Sequence, residues 1–299
     1  MSTAEKNGRA ARVAGAPISW GVCEVPGWGW QLDPEVVLAQ MAELGLAATE
    51  FGPDGFLPAE AQDRARLLDA HGLRAVGGFL PLVLHDPSHD PIPEADRYVD
   101  DCLAAGADAI VLAASTGLDG YDDRPELDDD GWACLLANLD AVDRLAAARG
   151  ITASLHPHVG TMVERADEVA RVLARSQIGL CLDTGHLLVG GSDPVALARD
   201  HADRIVHAHL KDVRLGLAEL VRGGDLTYAE AVRRGLYTPL GDGDVDIPGI
   251  VGALEAVGYQ GWYVLEQDVM LDEAPEDRAD PIDDVRRSLA HLVSVLGAA

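Results

Sequence analysis

Six of the ten histidines of this 299-residue chain lie between positions 156 and 209, and five of them stand where side chains could do chemistry. They occur as His156-Pro-His158, as His186 three residues after Asp183, and as His207-Ala-His209 with Lys211 next in phase. Two carboxylates stand in comparable settings, Glu50 in Thr-Glu-Phe-Gly-Pro and Glu266 in Leu-Glu-Gln-Asp. Imidazole mixed with carboxylate is a ligand set for a divalent transition ion that keeps coordination open for water or substrate. Imidazole also titrates near neutral pH, so a histidine that binds no ion can move protons. Each residue has a plainer reading. A lone histidine at a strand end is usually just hydrogen-bonded. Asp183-Thr-Gly could be only a turn, Glu266 a solvated rim charge, and Lys211 the partner of Asp212. Side chains alternate along a strand, so His156 and His158 share a face, as do His207 and His209. At most one of each pair need bind metal.

These groups share a context: each follows a short apolar run. The pattern predicts strands over Pro17–Val22, Leu46–Phe51, Leu73–Leu80, Asp108–Ala114, Ile151–Leu155, Ile178–Leu182, 204–209 and Trp262–Leu265. Helix patterns separate them, one opening at Asp33-Pro34 and stopping at Gly45. Strands alternating with helices and no linker argue for a single-domain (β/α)8 barrel, or TIM barrel, over 15–299 behind a loose tail at 1–14. In such a barrel the ends of the fifth to eighth strands are neighbours on the active face. A doubly wound sheet would predict a Gly-x-Gly-x-x-Gly turn after an early strand, and none is present. The segment 213–247 reads as a long loop over the active site, with a short helix over Thr227–Arg234.

The net charge of −27 repels phosphate backbones and argues against a nucleic-acid partner. No apolar run approaches a membrane span and no signal peptide precedes the first strand pattern, so the expectation is a cytoplasmic protein without a membrane partner. Cys23, Cys102, Cys134 and Cys181 are scattered without metal-type spacing and read as reduced thiols. Only two lysines occur, which singles out Lys211 among the histidines and argues mildly against a phosphorylated substrate.

Leu155-His-Pro-His-Val-Gly-Thr161, Asp183-Thr-Gly-His186, His207-Ala-His-Leu-Lys-Asp212, Gly241-Asp-Gly-Asp244 and Glu266-Gln-Asp268 resemble the motifs of inosose dehydratases. Trp20-Gly21 and Glu50-Phe-Gly-Pro-Asp-Gly55 match the same pattern earlier in the chain. These enzymes belong to the xylose-isomerase-like barrels, together with ketose 3-epimerases, hydroxypyruvate isomerases and apurinic endonucleases. The resemblance covers nearly everything from Pro17 onward. It implies a metal held by His156, Asp183, His209 and Glu266, with manganese or cobalt ahead of magnesium or zinc. His156 stands where the epimerases carry a glutamate that also shuttles protons, which fits a dehydratase better than two-base epimerisation. The resemblance further implies substrate contacts from His186, and from Trp20, His207 and His85 around it.

The expected function is therefore metal-dependent dehydration of a keto-inositol (inosose) or similar cyclic polyol; the alternative is a metal-dependent isomerase or epimerase of a keto sugar. A base is needed near the α-carbon. Glu266 and Glu50 are the carboxylate candidates, His156 and His158 the imidazole ones, and a group not bound to metal, Glu50 or His158, is the better base. Lys211 could stabilise the developing oxyanion or protonate the departing hydroxyl, with a pKa lowered by burial beside histidines. The partner is then a small polyol or keto sugar, with a homo-oligomer admitted. An endonuclease would need a basic groove that the charge denies, and a non-catalytic sugar-binding barrel would not need the metal.

Overall fold

The computed structural model describes residues 12–118, 120–121, 123–273 and 281–298. Eight parallel strands close into a barrel: β1 (Val13–Gly15), β2 (Ala48–Glu50), β3 (Arg74–Val83), β4 (Ala109–Ser115), β5 (Thr152–Leu155), β6 (Gly179–Asp183), β7 (Ile205–Leu210) and, after a two-stranded excursion, β10 (Tyr263–Leu265). Around the ring the order is β1-β10-β7-β6-β5-β4-β3-β2. A helix or helix pair follows each strand, as the (β/α)8 reading requires. The helix Pro34–Leu44 forms as expected, with the Asp33 side chain accepting from Glu35 N and Gly45 closing it at φ 75°.

The first strand is displaced from its expected place. Val13, Ala14 and Gly15 pair with Tyr263, Val264 and Leu265, and Pro17–Trp20 is a 3-10 turn. Proline lacks the N–H that a central strand must donate, so the ladder ends before Pro17. The barrel thus begins at Val13, and the tail expected over 1–14 otherwise falls on residues 1–11, outside those described.

The segment 213–247 is folded, not a bare loop. β8 (Asp212–Val213) pairs antiparallel with β9 (Tyr237–Thr238), and helices Leu215–Arg222 and Tyr228–Arg233 lie between them. The second helix matches the expected one, with Thr227 as its capping residue. Val213, Ala218, Tyr228, Ala231, Leu236 and Tyr237 make a small apolar core that includes Trp28 from the loop after β1.

Asp212 holds this insertion in place and does not pair with Lys211. Its Oδ1 accepts from Val213 N (2.9 Å) and Val245 N (3.0 Å), and its Oδ2 from Gly241 N (2.8 Å) and Gly243 N (3.0 Å). The carboxylate is fully buried. That explains the glycines of Gly241-Asp-Gly-Asp: a Cβ on Gly243 would stand 2.3 Å from Asp212 Oδ1. Asp212→Ala leaves four backbone donors without their acceptor. The expected loss is about 3 kcal/mol or more, read from urea unfolding.

Candidate active site

Register brings the chemistry to one end of the barrel. Asp183 pairs with His209 and Cys181 with His207 between β6 and β7, and Leu265 pairs with Leu210 between β10 and β7. Alternation then points His207, His209 and Lys211 inward at successive heights, with Asp183 beside His209 and Glu266 just past the strand end beside Lys211. Thr184 ties the two strand ends together, donating to Lys211 O (2.5 Å) and accepting from Lys211 N (2.8 Å). Gly185 lets them approach, because a Cβ there would lie 2.6 Å from the Tyr237 ring and 2.9 Å from Lys211 Cβ.

The four residues expected to hold a metal converge. Asp183 divides its carboxylate: Oδ1 caps the helix Thr184–Val189 by accepting from Gly185 N and His186 N, and Oδ2 faces the barrel axis. There it lies 3.2 Å from His156 Nε2 and 3.5 Å from His209 Nδ1. Glu266 Oε2 is 2.7 Å from the same His209 Nδ1. Asp183, His209 and Glu266 group as a potential metal triad, and His156 joins Asp183 from β5. Cys181 comes within reach of His156 and His209, a juxtaposition its sequence spacing does not reveal. His158, the other strand-five histidine, turns away from the carboxylates. Its Nδ1 contacts Val159 O at 2.7 Å and its ring stacks on His186 at 3.7 Å between centroids.

Charge dominates this cluster. Asp183, Glu266 and Asp268 crowd around a single ammonium, that of Lys211, and Glu50 meets His209. Lys211 Nζ lies 2.7 Å from Asp268 Oδ1, 3.2 Å from Glu266 Oε2, 3.3 Å from Asp183 Oδ2 and 3.0 Å from His186 Nε2. Burial alone would lower the lysine's pKa, but Asp183, Asp268 and Glu266 outweigh it and hold the ammonium well above its ordinary range. This reverses the sequence expectation of a lowered value, which counted the histidines and missed the carboxylates. His209 behaves likewise. Burial lowers its pKa, yet Cys181, Glu266 and Glu50 raise it well above the usual range. The site demands positive charge on or beside His209, which a proton or a bound cation can supply.

The donor set fits a divalent ion. Asp183, His209 and Glu266 each offer a ligand atom within 4.8 Å of the others, and His156 Nε2 lies 3.2 Å from Asp183 Oδ2. His209 Nδ1 and Glu266 Oε2 stand 2.7 Å apart, an ion pair when the ring is protonated and two ligating atoms when a cation takes the proton's place. Burial pushes His156 down to about 3 despite Asp183, so its ring is neutral and keeps a lone pair.

Other expected residues are placed differently. Glu50 lines the cavity, but its Oε1 is clamped 2.9 Å from both His207 Nε2 and His209 Nε2. Burial would raise its pKa, and the two histidines outweigh that and lower it, so Glu50 is a poor base. His207 lies below the cavity, reached from the cavity of about 600 Å³ at the opposite mouth of the barrel. His186 is buried behind Lys211 and His158. Trp20 is packed in the main core with Nε1 donating to Gln40 Oε1 (2.6 Å), because the turn after β1 aims it at the helix Pro34–Leu44. His85 lies outside the cavity lining because β3 runs on to Val83.

The cavity at the active mouth encloses about 670 Å³. His156, His158, His209, Lys211, Glu266 and Asp268 form its polar floor, and Phe79, Trp28 and Tyr121 its aromatic walls. Asp268, Tyr228 and Tyr237 were not singled out from sequence. Asp268 lies two residues past Glu266, a period-two signal that could have found it. Tyr228 comes from the insertion, and its hydroxyl donates to Asp268 and lies 3.0 Å from the Tyr237 hydroxyl. Nothing local marks it in the sequence.

Residues 38–294 match the family of xylose isomerase-like TIM barrels. The chain is 33% identical to the rhizopine catabolism protein MocC of Rhizobium meliloti, over 96% of this chain and 89% of that one. It is also 33% identical to the inosose dehydratase of Geobacillus kaustophilus, over 88% of this chain and 89% of the other. Among solved structures, the IOLI protein with a bound zinc atom superposes with a TM-score of 0.69 at 14% identity, covering 96% of this chain and 98% of that one, a likeness of fold. On the matched span, the identity to these relatives and the closed eight-stranded ring, the chain belongs to the xylose isomerase-like TIM-barrel family.

Proposed function

We propose that this protein is a divalent-metal-dependent dehydratase acting on a keto-inositol or a similar cyclic polyol. The observation that carries the proposal is the convergence of His156, Asp183, His209 and Glu266 beside Lys211 on the floor of a cavity sized for a small molecule. The inosose dehydratase among the relatives directs the reading toward elimination of water. Those four residues would hold the ion, manganese or cobalt by preference, and the ion would supply Lewis-acid polarisation of the substrate carbonyl. The four unpaired cysteines fit a reducing, cytoplasmic setting.

His158 is the base. A backbone carbonyl can only accept, so the contact with Val159 O fixes the ring proton on Nδ1 and leaves Nε2 as the basic nitrogen. Burial and the nearby Lys211 charge lower its pKa, which keeps it unprotonated. It takes the proton from the carbon beside the carbonyl, and the electron pair moves into the carbonyl as the enolate forms. As the enolate collapses to a carbon–carbon double bond, the β-hydroxyl leaves and takes the proton held on His158, while the Lys211 ammonium stabilises the oxyanion. Proton and hydroxide together account for one water. Asp268, held by Tyr228, keeps the Lys211 ammonium aimed into the cavity. The insertion that carries Tyr228 helps to keep bulk water out.

Purified protein loaded with manganese is expected to convert a keto-inositol to a product with rising ultraviolet absorbance from the conjugated enol-dione. Epimer or isomer formation without that absorbance would overturn the dehydratase reading. His158→Gln is expected to lower kcat by about 10²- to 10⁴-fold while bound metal, measured by elemental analysis, stays at the wild-type level. Manganese at about a hundred times its Kd should stabilise the fold by about 2.7 kcal/mol, seen as a higher Tm that a chelator reverses. Asp183→Asn keeps the capping oxygen and loses the charge, and it is expected to abolish that shift.

A further inference from the structure

Glu50 reaches His209 from the far side of the barrel, since β10 and β1 separate β7 from β2. We infer that Glu50 is a positioning residue that fixes His209 as the Nε2–H tautomer and so presents its Nδ1 lone pair to Asp183 and Glu266. The inference rests on reading the cluster as a metal centre, and it concerns what makes His209 a competent member of it.

The geometry fixes the proton on the Glu50 side of both rings. His207 Nε2 and His209 Nε2 both lie 2.9 Å from Glu50 Oε1. An ionised carboxylate only accepts hydrogen bonds, so both nitrogens donate. A ligating imidazole is neutral and carries one N–H, so with that proton held on Nε2 by Glu50 the Nδ1 of His209 is the nitrogen left to bind an ion. That nitrogen stands 2.7 Å from Glu266 Oε2 and 3.5 Å from Asp183 Oδ2. Its surroundings are therefore acceptors, which Nδ1 meets with a second proton when no ion is bound and with its lone pair through a cation when one is.

His207 completes the device. Its N–H takes up a second acceptor direction on the same oxygen, and its ring lies 5.2 Å from that of His209 at 72°. Two rings on one strand thus stop the carboxylate from turning toward the cavity. Glu50, His207 and His209 are all buried, so the contact is shielded from bulk solvent. A carboxylate behind a ligating imidazole both orients the ring and strengthens it as a ligand, and its removal typically weakens metal affinity about 10- to 100-fold.

Zinc is a suitable probe because it is diamagnetic and binds imidazole well. Zinc affinity is to be measured by chelator competition on wild type, Glu50→Gln and Glu50→Ala, with unfolding temperatures and circular dichroism establishing how much of each is folded. Histidine labelled with nitrogen-15 reports which His209 nitrogen binds zinc and which keeps its proton. In the wild type, Nδ1 should carry zinc and Nε2 the proton. Glu50→Gln, which keeps an acceptor oxygen, should lose about tenfold in affinity, and Glu50→Ala about a hundredfold with the His209 signature lost. Variants that melt earlier yet bind zinc as the wild type does, with His209 unchanged, would make Glu50 merely structural and overturn the inference. A wild-type chain that binds no zinc would instead overturn the metal reading, and this inference with it.

Discussion

The structure turns on the concentration of negative charge at the ends of the strands. Glu50, Asp183, Glu266 and Asp268 are drawn together in a space largely closed to solvent, where an uncompensated carboxylate is costly. Each compensation visible in the fold follows from this. Asp183 gives one oxygen to a helix N-terminus, Glu50 is met by two histidine N–H groups, and Asp268 by Lys211 and Tyr228. One ammonium does not balance the remainder, and Asp183, His209 and Glu266 offer ligand atoms close enough together to share a further cation.

The barrel is suited to hold such a cluster because its strands are hydrogen-bonded on both sides and its inward side chains are stacked in layers. On β7 and just past its end, successive inward positions carry His207, His209 and Lys211: His207 meets Glu50, His209 meets Glu50, Asp183 and Glu266, and Lys211 meets Asp183, Glu266 and Asp268. The insertion after β7 adds what the ring cannot supply. Asp212, the residue after Lys211, uses its carboxylate to fold that insertion back, so the segment delivering Tyr228 is anchored next to the lysine that Tyr228 serves through Asp268. Fold and chemistry are linked through two adjacent residues with opposite tasks.

Much of this was legible in the sequence. Strand-end histidines and carboxylates are a local signal, and seven of the eight strands fall where the apolar runs placed them. The first strand was misplaced because Pro17–Val22 has strand-like composition while its proline forbids the ladder. Contacts across the barrel were not legible. That Glu50 is clamped rather than free depends on β2 facing β7 through the interior, and no local pattern encodes it. Lys211 was misjudged for the same reason: its histidine neighbours are close in sequence, whereas Asp268 and Glu266 come from another strand end. Trp20 and His85 looked like rim residues, and the turn after β1 and the extra length of β3 carried them away from the cavity.

The central claim is that the buried carboxylates and imidazoles enclose one metal ion. Anomalous diffraction from crystals grown with manganese tests it most directly. The account predicts a single strong peak per chain at bonding distance from His156 Nε2, Asp183 Oδ2, His209 Nδ1 and Glu266 Oε2. A site that stays without a peak at saturating manganese, with Lys211 Nζ still bridging Asp183 and Glu266, would contradict it.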